Sequence, residues 1–269
     1  MISVCIPTRN YGRFLRDAID SVLAQTRRDY ELIVVDNCSS DDTPALLEEY
    51  ARKHPQIRCV RNETPLSMPA NFNRALALAR GELVKVLCAD DWLAPEALEK
   101  SAAALEAHPE AAMAATARVL MSENRRPLGV EAYGRDAGIV DGRRAIERCL
   151  YGTNYVGEPS AVLFRRSLAG PGFDESFAHL LDLELWFRLL EQGALAFVPE
   201  PLAMIRRHDA QATRGNVGAG EIVADKKRLF ATYAGKPYVR RTWAKDFVWR
   251  LRLMANALRA RLQRWRQPS

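Results

Sequence analysis

The chain opens with short apolar runs that alternate with segments of helical spacing. "ISVCI" and "ELIVVD" are near-continuous apolar stretches, the pattern of strands buried on both faces. Between them, "YGRFLRDAIDSVLAQ" places Phe14, Leu15, Ala18, Ile19, Val22 and Leu23 on one helical face. "DDTPALLEEYARKH" begins with aspartates and a first-turn proline, which predicts a helix start capped by Asp41 or Asp42. "IRCVRN" reads as a strand, "MPANFNRALALARG" as a helix closed by Gly81, "ELVKVLC" as a strand and "APEALEKSAAALEAHP" as a helix. "AAMAATARVLM" fits either period, and its position after a helix favours a strand. Strands alternating with helices over about 120 residues predict right-handed βαβ units and a mainly parallel sheet flanked by helices, an α/β fold.

The later pattern is less regular. Residues 122–140 are polar and contain glycine, as a loop or irregular hairpin does. "DGRRAIERCLYG" predicts a short helix, "SAVLFRRS" a strand, and "LDLELWFRLLEQG" an amphipathic helix ending near Gly193. "LAFVPE" and "LAMIRRH" read as two more strands. After Gly220 the pattern is helical and basic, interrupted at "AGKPY". This divides the chain into a regular α/β half over 1–121, a less regular half over 122–219, and a basic amphipathic helical extension over 220–269.

Charge sharpens that division. From residue 225 to 269 there are 13 Lys or Arg against 2 Asp, while the rest has 26 basic against 31 acidic residues. A mildly acidic body with a strongly basic tail points to an anionic partner for the tail. Within 236–266, Trp243, Phe247, Trp249, Leu251, Leu253, Leu258, Leu262 and Trp265 lie among the arginines. Such a helix lies on an anionic membrane surface or packs on the body with its arginines solvated. Nucleic acid is disfavoured as a partner, since nothing matches a nucleic-acid-binding motif. The five cysteines are scattered with no C-x-x-C, which argues against a disulfide framework or zinc site and fits a reducing compartment. "MISVCIPTRN" has no basic region followed by a long apolar one, and no apolar run approaches the ~20 residues of a membrane span. A cytoplasmic protein is expected, with peripheral contact at the inner face of the membrane through its tail.

The candidate chemistry sits where strands end. "PTRN", "DNCSSD" and "ADD" follow three predicted strands, and a parallel sheet delivers such ends to one edge, where ligands bind. Asp90 and Asp91 are adjacent like charges beyond a buried run, which asks for a cation between them, although Asp91 also stands where a helix cap would. Asp36 ends a strand and can accept bonds from a base or ribose, or close an Asx turn. Asp182 and Glu184 lie in an apolar run near a helix start. A carboxylate there becomes a general base or compensates the helix dipole. His208, after a strand, is a ligand candidate or a solvated surface group.

Taken in order, these segments resemble family 2 glycosyltransferases of the GT-A fold. "SVCIPTRNYGRFLRDAIDSVLAQTRRDYELIVVDNCSSDDT" is similar to the family's start, and "ALARGELVKVLCADDWLAPEAL" to its D-x-D region. "GEPSAVLFRRS" resembles the glycine-containing loop before the acceptor half, "LDLELWFRLLEQG" the family's "ED" helix, and "IRRHDAQAT" the segment with a C-terminal histidine. The resemblance implies an inverting transferase that uses a nucleoside-diphosphate sugar donor, a divalent cation (Mn²⁺ or Mg²⁺) and a glycan or lipid-linked acceptor. It implies that Pro7, Thr8 and Asn10 line the nucleotide pocket and that Asp36 and Asn37 contact the base. Asp90 would face the ribose, Asp91 the metal and diphosphate, and both serve as metal ligands with His208 nearby. Gly157 and Ser160 would shape the donor-sugar side, and Asp182 would be the base, with Glu184 as its alternate. Two positions depart from the family. Cys88 stands where an aspartate is usual, and Leu181 replaces the glutamate before Asp182.

Overall fold

The computed structural model describes residues 1–208 and 218–265, with side chains described except at 218, 219 and 256–265. The segment from Asp209 to Thr213, and the side chains of Leu258, Leu262 and Trp265, lie outside the described residues.

Four parallel strands make the first half of one sheet: β1 (Ile2–Thr8), β2 (Tyr30–Asp36), β3 (Ile57–Arg61) and β4 (Leu83–Val86). They are joined by α1 (Gly12–Leu23), α2 (Thr43–Lys53) and α3 (Met68–Leu78). The continuous apolar runs have their cause here. Cys5, Ile33, Val35, Val84 and Val86 face one core, and Ile2, Val4, Ile6, Leu32 and Val34 face the other. At roughly 1.5–3 kcal/mol per fully buried large apolar side chain, these two layers hold the sheet in place.

The second half is mixed. After a two-residue β5 (Trp92–Leu93) and α4 (Ala97–Ala107) comes β6 (Ala111–Ser122), a strand as its position favoured. It is followed by β7 (Pro127–Glu131), β8 (Gly138–Val140), α5 (Gly142–Tyr151), β9 (Val162–Arg165), α6 (Leu181–Leu190) and β10 (Ala194–Arg207). The sheet order is β3-β2-β1-β4-β9-β6-β10-β5, with β7 on β6 and β8 on β10. β9 lies between β4 and β6, antiparallel to both. An antiparallel strand brings its beginning, not its end, to the edge where β1, β2 and β4 finish. The turn at 157–161 therefore reaches that edge. β10 runs parallel to β6 and brings its carboxyl end there too.

Several local expectations differ from what is found. "LAFVPE" and "LAMIRRH" are one strand, because β10 absorbs Pro199 and Pro201 in register shifts between Val198 and Ala203 instead of breaking. α3 ends at Leu78, and Gly81 packs against β1, where a Cβ would come within 2.7 Å of the Ser3 nitrogen. Asp42 makes no capping bond. Asp41 accepts from the Thr43 and Gly12 nitrogens, tying α1 to α2. Asp91 caps no helix, because Trp92 and Leu93 pair with β10 and α4 starts only at Ala97.

The basic region forms two helices, α7 (Gly218–Tyr233) and α8 (Trp243–Trp265). Leu229, Tyr233, Ala234 and Val239 are buried in the main core. Trp249 stacks on Phe230 with ring centroids 3.9 Å apart, holding α8 against α7.

Candidate active site

A cleft of about 350 Å³ opens at the edge where β1, β2, β4 and β10 end. Pro7 and Thr8 from β1, Asn37 after β2, Asp90 and Asp91 after β4, and Asp182 from the first turn of α6 line it. Residues distant in sequence meet here because each sits within a few positions of a strand or helix end.

The paired aspartates are the most constrained groups. Asp91 is buried, and both its oxygens accept bonds, Oδ2 from Ser160 Oγ at 2.6 Å and Oδ1 from the Arg206 nitrogen at 2.9 Å. Burial, and then the charge of Asp90, push its carboxyl well above the usual range. His208 Nε2 lies 3.0 Å from Asp90 Oδ2, and the imidazole is packed against Phe14 with centroids 4.6 Å apart. The ligand atoms of Cys88, Asp90 and Asp91 all lie within 4.8 Å of one another. Carboxylates have lone pairs beyond those used by Ser160 and Arg206, so this set fits one divalent cation, with sulfur as a softer third donor. His208 stands behind that set, on Asp90.

Asp182 is surrounded by protein and partly open to the cleft. Its Oδ2 accepts from Asn154 Nδ2 at 3.2 Å and its Oδ1 from the Leu183 nitrogen at 2.7 Å. Burial pushes its pKa up to about 7. The charge of Glu158 adds to this, and the Leu183 nitrogen and Arg118 oppose it. Glu184 points elsewhere. Arg188 takes both its oxygens, at 2.7 and 2.9 Å, and it does not line the cleft.

Four other predicted residues do not line the cleft. Asp36 accepts from Arg61 of β3 at 2.6 Å and from the Ser39 nitrogen at 3.0 Å, so its carboxylate is spent on β3 and on the loop after β2. Asn10 adopts the left-handed region that asparagine tolerates, and links to Ser39 and Ser40 of that same loop. Ser160 is buried beneath the aspartates, donating to Asp91 and accepting from the Cys88 nitrogen. Gly157 has φ of +117°, and its carbonyl accepts from Trp186 Nε1 and Asn154 Nδ2. A side chain there would crowd Arg118.

Three groups escaped the sequence reading. Glu158 and Arg207 line the cleft and pair at 2.7 Å. Each stands beside a residue that was singled out, Gly157 or His208, so proximity to a motif was the available signal. Lys85 is fully buried under the site and donates to the Ser160 carbonyl at 3.0 Å. A lysine inside the apolar run "ELVKVLC" was its signal.

The mixed sheet, with its cleft at the strand ends, has the GT-A fold. The family model described as glycosyl transferase family 2 matches residues 3–171, and the chain belongs to that family. It is 36% identical to the uncharacterized protein MT1568 of Mycobacterium tuberculosis, over 81% of this chain and 72% of the relative. It is 28% identical to TuaG of Bacillus subtilis, described as a putative teichuronic acid biosynthesis glycosyltransferase, over 73% and 75% respectively. Its fold is shared with the mannosyltransferase PcManGT from Pyrobaculum calidifontis, solved with GDP-Man and Mn²⁺. That similarity has a TM-score of 0.65 at 19% identity, over 100% of this chain and 76% of the other.

Proposed function

We propose that this chain transfers a sugar from a nucleoside-diphosphate sugar to an acceptor hydroxyl with inversion, in the synthesis of a cell-surface polysaccharide or glycolipid. The observation that carries this reading is the convergence of Asp90, Asp91 and Asp182 on one cleft at the strand ends. Teichuronic acid synthesis in the TuaG name and the GDP-Man and Mn²⁺ of PcManGT support the same class of chemistry.

Pro7, Thr8 and Asn37 contact the nucleotide, while Asp36 and Asn10 hold the loops that present them. Asp90 and Asp91 would hold the cation, with Cys88 beside them. When bound, the cation neutralises the charge on the leaving diphosphate. Ser160 and the Arg206 nitrogen fix Asp91, and His208 fixes Asp90. Gly157 shapes the donor-sugar side by letting the backbone turn toward Asn154. Asp182, with a pKa near 7, accepts the proton of the acceptor hydroxyl as it attacks. Of the other described carboxylates lining the cleft, Asp90 and Asp91 face the cation and Glu158 pairs with Arg207, which leaves Asp182 as the base. A single unpaired base among the described residues of the cleft supports a single displacement, hence inversion.

The tail supports a peripheral membrane location. No described helix is long and apolar enough to cross a membrane. On α8, Trp243, Phe247, Leu251 and Met254 are exposed at spacings of four, four and three residues, among basic side chains.

Thermal unfolding with UDP, GDP and dTDP, each with and without Mn²⁺, tests the donor reading. A ligand at a hundredfold excess over its dissociation constant stabilises by about 2.7 kcal/mol. One nucleotide should do so with Mn²⁺ on the wild type and not on Asp91→Ala. If no nucleotide shifts the transition at several times millimolar concentration, the donor reading fails.

A further inference from the structure

A second cavity, of about 260 Å³, lies among α5, α6, α7 and α8. Its apolar wall includes Leu183, Phe187, Leu229 and Leu253, and two cations, Lys226 and Arg252, border it. No carboxylate lines it among the described residues. Lys226 is half-buried and makes no ion pair with a described residue. Burial, and then the charge of Arg252, disfavour its ammonium form. Arg252 is exposed and donates to the Tyr151 carbonyl, so the half-buried Lys226 is the charge that an anion in the cavity would relieve, with Arg252 at the rim.

The surroundings say what kind of anion. Trp249, Arg252 and Leu253 of α8 form one wall, and the same helix turns Trp243, Phe247, Leu251 and Met254 outward, 83%, 55%, 48% and 67% exposed. Lys245 pairs with Glu147, and Tyr151 donates to Asp246, so the start of α8 is held on α5 with that ridge facing away. A basic helix with an outward apolar ridge suits a bilayer interface, so this inference rests on the peripheral membrane location proposed above, and the cavity is on the helix's inner side. A free phosphate has no use for the apolar walls.

We propose that this cavity binds the phosphate-bearing head of an anionic membrane lipid, with the phosphate at Lys226 and Arg252 and the first methylenes against Leu183, Phe187 and Leu253. Asn154 lines the cavity and also donates to Asp182, so the occupant lies one side chain from the cleft. The inference stands on the cavity, its cations and the ridge, and holds whether or not Asp182 is a base.

Isothermal titration calorimetry on the full chain tests it, using dihexanoyl phosphatidic acid below its micelle concentration. Inorganic phosphate and dihexanoyl phosphatidylcholine are the comparison ligands. The phosphatidic acid is expected to bind one to one, and each comparison ligand at least about tenfold more weakly, a difference of about 1.4 kcal/mol. Lys226→Gln should weaken phosphatidic acid about tenfold, and Arg240→Gln, on the exposed turn, should leave it unchanged. Should Lys226→Gln lose its circular dichroism, Arg252→Gln is read in its place with the same expected loss. Nucleotide stabilisation on these variants should match the wild type, which keeps the donor cleft separate from this result. Equal binding of inorganic phosphate, wild-type affinity in Lys226→Gln, or no binding heat would each overturn the proposal.

Discussion

Replacing Asp182 by asparagine should pull activity and stability in opposite directions. Asp182 is held near pKa 7, far above the ordinary carboxylate range, chiefly because burial penalises its charge. At pH 7 about half the molecules carry the base form, and at pH 5 about one in a hundred, so kcat/KM should fall about fiftyfold between them. Asparagine cannot take a proton, and the variant should lose roughly 10²–10⁴ in kcat. The stability sign is the reverse of the usual carboxylate case. A folded pKa above the unfolded one means the native state binds more protons between pH 4 and 7, so this group's contribution falls as pH rises through that window. A shift of about three units corresponds to at most ~4 kcal/mol, reduced by solvent in the cleft. The asparagine side chain keeps an oxygen for the Leu183 nitrogen and carries no charge to desolvate. Urea unfolding of Asp182→Asn should therefore match the wild type near pH 4 and exceed it by a few kcal/mol at pH 8. A pH-independent rate from pH 5 to 8, or a variant that keeps more than a tenth of wild-type kcat, refutes the assignment. A variant no more stable at pH 8 refutes the burial argument.

Cys88→Asp should tighten Mg²⁺ in the nucleotide-stabilisation assay about tenfold, because a hard oxygen replaces a soft sulfur beside Asp90 and Asp91. Unchanged Mg²⁺ dependence would place Cys88 outside the ligand set. Gly157→Ala should cost about 1–3 kcal/mol in urea, since φ is +117° and the new Cβ would lie 3.1 Å from Arg118 Nη1. It should also lower kcat by moving Glu158 and Asn154, and wild-type stability would contradict the strained turn. Lys85 is held near pKa 7 by burial, below its unfolded value, so its contribution to stability should rise between pH 7 and 10. The slope is about 1.4 kcal/mol per pH unit. Lys85→Met should flatten the pH dependence of the unfolding midpoint over that range, and an unchanged slope would mean that the lysine is hydrated.

How far the sequence carried depends on whether a feature is local. The strands β1, β2 and β4 are continuous apolar runs because both their faces are covered, and the groups at or just after their ends, Thr8, Asn37, Asp90 and Asp91, were legible as cleft-lining for that reason. β9 was legible as a strand, but its place between β4 and β6 was not. Four residues of "VLFR" carry no signal for which neighbours they pair with or in which direction. That placement is what carries Ser160 beneath Asp91, 69 residues away in sequence, and Lys85 to the Ser160 carbonyl, 75 residues away. Glu184 shows the same limit within one helix. It lies two residues from Asp182, yet a step of about 200° around the helix turns it away from the cleft and onto Arg188. The groups that face the cleft follow from strand ends, which periodicity reveals. The groups that hold them follow from long-range pairing. The antiparallel insertion of β9 is therefore both the least legible part of the fold and the part that buries Asp91 against a hydroxyl, next to a second carboxylate whose charge a cation would offset.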